Sequence, residues 1–196
     1  MKTVISFLAV SLCLGLGSVV ALAQQQNKPE EKPTIASVLD RQLSIVESEF
    51  VSAAEAMPEE KYSFAPTAGE FKGVRTFAEQ VKHVAAVNYL FFGAILGEKP
   101  PAEAGEKGPD SVKTKDQILK YLRDSFALGH RAITTITADN VVTPLKTPPN
   151  PMLNTPLALA SIGCWHPFDH YGQMVEYLRM NGIVPPASRP RPKPAN

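Results

Sequence analysis

Residues 155–182, TPLALASIGCWHPFDHYGQMVEYLRMNG, decide the fold. Thr155 offers a side-chain oxygen to cap a helix, and Pro156 follows at the first helical position, where its missing N–H costs nothing. Leu159, Ile162, Met174 and Tyr177 fall on one broad side of a wheel drawn at about 100° per residue. Asn181-Gly182 is a good C-terminal stop. The stretch therefore reads as one long amphipathic helix. Within it, His166 and His170 lie about 40° apart on the wheel, with Gln173 about 20° on the other side of His166. Both imidazoles point inward with the apolar residues.

Working back along the chain, three more helical patterns appear. The first opens at Thr34 and runs to about Met57, ended by Pro58, with Ile35, Val38, Leu39, Ile45, Val46 and Phe50 as its stripe. The second begins near Arg75 or Thr76 and stops at Gly97, with Phe77, Val81, Val84, Val87, Phe91 and Ile95 on a broad face. The third opens at Thr114, where Thr114-Lys115-Asp116-Gln117 fits a capping box. Its stripe is Ile118, Leu122, Phe126, Ile133 and Ile136. Turn-rich stretches separate them: residues 61–71, KPPAEAGEKGP (99–109) and TPLKTPPNPMLN (143–154). No stretch alternates with period two. Four helices, each with one apolar face, predict an all-α chain folded as an antiparallel four-helix bundle over residues 34–183.

The ends read differently. Residues 1–23 carry Lys2, an apolar run from Ile5 to Leu22, and Ala21-Leu22-Ala23, a small-x-small cleavage pattern. They predict an export signal, hence a periplasmic or secreted protein with no membrane attachment after cleavage. Residues 24–33 predict a disordered linker, and the proline-rich residues 184–196 a disordered tail. Of 20 basic residues only Lys2 lies in the signal, leaving 19 against 19 acidic. That balance argues against a nucleic-acid partner or a charged membrane surface. Cys13 goes with the signal, so Cys164 alone remains and no internal disulfide can form. A single bundle of this kind can pair with a copy of itself, though no exposed stripe demands it.

The chemistry rests on the histidines. On the second helix His83 lies with Gln80 and Val87 on the face toward the bundle, so it can approach His166 and His170. A His pair at i, i+4 rises on one helix face and can grip a metal from two sides; a third His would leave one position open. The competing reading is three satisfied core histidines, and spacing alone leaves the two readings open. His130, beside Gly129 and Arg131, reads as a surface or helix-margin residue. Pro167 stands where a zinc metalloprotease helix needs its Glu. Pro167 also removes a helical hydrogen bond and predicts a kink. Cys164 and His166, two positions apart, face nearly opposite ways, so Cys164 reads as a buried small residue. The carboxylates do not make a di-iron set. No general base stands out; Glu79, Asp169 and Gln173 are candidates for orientation only.

His83 in the second helix, together with HPFDHYGQMVEYLRMNGIVPP (166–186), resembles the DinB-like family. MPEEKYSFAPTAGEF (57–71) and FAEQVKHVAAVNYL (77–90) are similar to that family's first linker and second helix, and the likeness covers roughly residues 35–186. It implies a four-helix bundle binding a divalent metal, most often zinc or nickel, through three histidines, here His83, His166 and His170. It also implies a small-molecule substrate: members include thiol-dependent S-transferases and isomerases, and many proteins described only as metal-dependent hydrolases. Two features depart from the pattern. Pro167 sits between the ligands, and the export signal places the chain where low-molecular-weight thiols are scarce.

Overall fold

The computed structural model describes residues 32–101 and 106–190. The stretch read as an export signal, most of the expected linker before Thr34 and the last residues of the expected tail lie outside them. Among the described residues four long helices form the bundle: α1 (Ile35–Ala56), α2 (Phe77–Leu96), α3 (Lys115–Ile133) and α4 (Pro156–Met180). Among the described residues there is no strand, and no helix is long and apolar enough to cross a membrane.

Each helix starts where its sequence signal stands. The Thr34 and Thr114 side chains accept from the backbone N–H of Ser37 and Gln117, each closing a reciprocal capping box. Thr76 does the same with Glu79. On α4, Thr155 accepts from Ala158 N–H, with Pro156 next in line. Gly97 ends α2 in the left-handed region at φ 70°, which costs a glycine nothing. Pro167 does not break α4, which runs through it as one 25-residue helix.

Neighbouring helices are not all antiparallel, and here the expectation needs correcting. Asp40, near the start of α1, meets His130 at the end of α3, while Glu55 at the end of α1 pairs with Arg123. So α1 and α3 run in opposite directions. So do α2 and α4, because Arg75 and Gln80 meet Tyr177 and Gln173. By contrast α2 and α3 run parallel: Asn88 donates to Ser125 and Arg131 binds Glu98. Likewise α1 and α4 are parallel, with Glu49 on Tyr171 and Lys61 on the carbonyl of Asn181. The order is up–down–down–up, and consecutive helices α1/α2 and α3/α4 lie across the diagonal. Long turn-rich connections permit this. The one after Gly97 must return along the whole bundle to start α3 beside the start of α2, and Lys82 holds its far end by donating to the carbonyls of Pro109 and Val112.

The core is built from Phe50, Phe77, Phe92, Phe126, Leu43, Leu122, Leu159, Met174 and Leu178, all fully buried. The α1 stripe is narrower than its periodicity predicts. Ile35, Val38 and Ile45 face solvent, and Leu43 takes the inward position. Ile136 lies past the end of α3 but is still buried. Two glycines let α2 come close: a Cβ at Gly163 of α4 would stand 2.4 Å from Phe92 Cζ, and one at Gly129 of α3 2.8 Å from the same ring. The front of the tail is not detached, since Pro186–Ser188 forms a 3-10 turn that packs on α1.

Candidate metal centre

Because α2 and α4 are adjacent and antiparallel, His83 in the second turn of α2 faces His166 and His170 in the middle of α4. His166 Nε2 lies 3.2 Å from His83 Nε2 and 3.2 Å from His170 Nε2. The rings meet edge to face, with centroids 4.7–5.1 Å apart. His83 and His170 are buried; His166 is half-buried.

Each outer ring is held by its far nitrogen. His83 Nδ1 donates to the carbonyl of Glu106 at 2.6 Å. A carbonyl can only accept, so the hydrogen sits on Nδ1 and the Nε2 lone pair is free. His170 Nδ1 donates to Gln80 Oε1 at 2.6 Å. Gln80 Nε2 donates to Gln173 Oε1 at 2.8 Å, and Gln173 Nε2 donates to Asp169 Oδ2 at 3.4 Å. The carboxylate at the end accepts only, and this orients both amides in turn. Asp169 thus sets the tautomer of His170 through two glutamines, leaving its Nε2 lone pair free as well. His166 Nδ1 is buried with no hydrogen-bond partner among the described residues.

The electrostatics agree with neutral rings. Burial lowers the pKa of all three histidines. It takes His166 down to about 4, with the neighbouring His83 adding to the effect. It takes His170 down to about 3, with His166 and His83 adding. For His83 the hydrogen bond to Glu106 offsets part of the fall. At neutral pH the cluster therefore presents nitrogen lone pairs, the form a metal ligates.

These residues suit a divalent cation. Without one, the lone pairs of His83 and His170 converge on a single Nε2, whose ring has one hydrogen to give. With one, three nitrogens about 2.0–2.1 Å from a tetrahedral centre stand about 3.3 Å from each other, close to the two 3.2 Å separations at His166 Nε2. The hydrogen bonds at the two Nδ1 atoms are the outer supports that metal-bound imidazoles usually have. The three ligating atoms lie within 4.8 Å of one another, and no other such group of His, Cys, Asp or Glu is found among the described residues.

The remaining candidates fall into place. Glu79 does not face the cluster, because its carboxylate caps Thr76. Asp169 and Gln173 act at one and two removes, as members of the amide chain. His130 lies at the helix margin, as its position predicts, between the carboxylates of Asp40 and Glu47. Cys164 is buried, and burial pushes its thiol up to about 11. Gln80 is the residue whose part the sequence reading missed. Its place on the His83 face was visible, but its pairing with Gln173 depends on the antiparallel register of α2 and α4.

No curated protein matches the chain. A family model described as the DinB superfamily matches residues 42–174, which span all three histidines and most of the bundle. With that match and this bundle, the chain belongs to the DinB superfamily.

Proposed function

We propose that His83, His166 and His170 hold a divalent metal, zinc or nickel, in an exported enzyme that hydrolyses or transfers a group of a small-molecule substrate. One observation carries the reading: three imidazole nitrogens converge, with the two outer rings held in the ligating tautomer. A metal bound there supplies Lewis acidity, which lowers the pKa of a water or thiol at the open position. The chain's own part is to aim the ligands. Glu106 and the Gln80–Gln173–Asp169 chain lock two rings, and the apolar packing around them keeps all three unprotonated.

A second reading is a non-catalytic metal-binding module. It is favoured by the carboxylates: Glu79 is spent on a helix cap and Asp169 on Gln173, so neither stands ready as a base. Metal analysis of the purified full chain tests both. About one zinc or nickel per chain is expected, with loss of the metal in His170→Ala. A metal-free protein whose melting temperature and metal uptake are the same in His170→Ala excludes both readings. Once metal is found, hydrolysis of a panel of ester, amide and phosphoester substrates that disappears in His166→Ala favours the enzyme.

A further inference from the structure

Arg75 stands one residue before the α2 cap. Its side chain is sheltered, at 30% exposure, yet poorly partnered. A guanidinium in such a place ordinarily takes a carboxylate by two parallel hydrogen bonds. Among the described residues its side chain has only Glu106 Oε2, 3.5 Å from one Nη, and donates no hydrogen bond. The Glu106 side chain is 86% exposed, so the pair adds little stability.

Position makes this matter. Glu106 touches His83 Nδ1 with its carbonyl and Arg75 with its carboxylate. Through this one residue the guanidinium is linked to the outer, Nδ1 side of His83. The other ionic groups nearby are committed: Lys82 to two backbone carbonyls, Glu79 to the cap and Asp169 to Gln173. Arg75 is left as the cationic group beside the cluster whose donors are unused among the described residues.

We propose that Arg75 binds the carboxylate of the small molecule whose other end reaches the metal position, so that the site selects acids over neutral compounds. The proposal rests on the metal-site reading above. The Glu106 carboxylate is an internal stand-in for that group, seated loosely enough to be displaced.

The test uses the full chain loaded with Co²⁺ and two probes sharing a thiol, 3-mercaptopropionate and neutral 3-mercapto-1-propanol. Binding is followed by the thiolate-to-cobalt absorption band. The acid is expected to bind about tenfold or more tighter than the alcohol, the value of a charge-assisted hydrogen-bond pair. Arg75→Gln should bring the acid to the alcohol's affinity and leave the alcohol unchanged. Glu106→Gln should move the acid the other way, tightening it several-fold by removing its competitor. Equal affinities in the natural protein, or a preference that survives Arg75→Gln, overturn the proposal and leave the metal reading intact. A chain that gives no cobalt spectrum overturns both. If Arg75→Gln does not fold, Glu106→Gln decides: no gain for the acid overturns the proposal.

Discussion

Gln80 accepts the Nδ1 hydrogen of His170 at 2.6 Å, from one helix across to its antiparallel neighbour. That bond makes the far nitrogen of the ring a lone-pair donor. Gln80→Leu removes it and leaves Gln173 Oε1 without its donor. Metal affinity should fall about 10- to 100-fold, the usual cost of losing an outer support to a metal-bound His. Competition with a chromogenic chelator measures it. Asp169→Asn, which frees the amide chain to reverse, should act in the same direction but more weakly.

Gly163 is needed for its lack of a side chain. Phe92 occupies the place where a Cβ would go, with Cζ only 2.4 Å away. Gly163→Ala should destabilise the protein by about 1–3 kcal/mol in urea denaturation, because a fully buried ring must leave its position. Phe92→Leu in the same chain should recover part of that loss. Two costs that simply add would refute the contact as the cause.

His130 predicts a pH dependence separate from the metal. Burial pushes its pKa down, but hydrogen bonds to Asp40 and Glu47 outweigh burial and leave it raised. A raised folded value means the charged ring stabilises the fold. That contribution is complete below the ordinary value of about 6.5 and fades as pH rises through the higher folded value. With chelator present, the melting-temperature gap between natural protein and His130→Gln should be wide at about pH 6 and narrow at about pH 9. A gap that does not change with pH would refute the ionic origin.

Cys164 should be chemically quiet. Its thiol is buried and pushed up to about 11, so little thiolate exists at neutral pH. Iodoacetamide should label the native chain far more slowly than the urea-unfolded chain, as followed by mass spectrometry. Equal rates would show that the thiol is accessible.

Much of this site was legible in the sequence, for local reasons. Thr34, Thr76, Thr114 and Thr155 announce their helices because a cap is satisfied within one turn. His166 and His170 share a face by spacing alone. The partners of those rings were not legible, because they arrive by tertiary routes. Glu106 reads as part of a loop, and only its return along the bundle brings its carbonyl to His83. Arg75 reads as the residue before a helix. The helix directions were hidden as well: periodicity gives the buried face of each helix but not which neighbour covers it. Leu43 and Ile45 show the same limit, since both lie near the edge of the α1 stripe and packing alone decides that the first goes in and the second out.

His83 and His166 are 83 positions apart in the chain and touch through their Nε2 atoms. An ion held by both would tie α2 to α4 and close a loop containing α3 and two long connections. The mature chain predicted here has one cysteine and no disulfide with which to do so. A cross-link over a loop of that length removes unfolded-chain entropy worth on the order of 4 kcal/mol. The three imidazoles would then act as a staple undone by chelation and indifferent to reductant. Persistence of the fold would then follow the supply of metal, and the redox state of the surroundings would have no part in it.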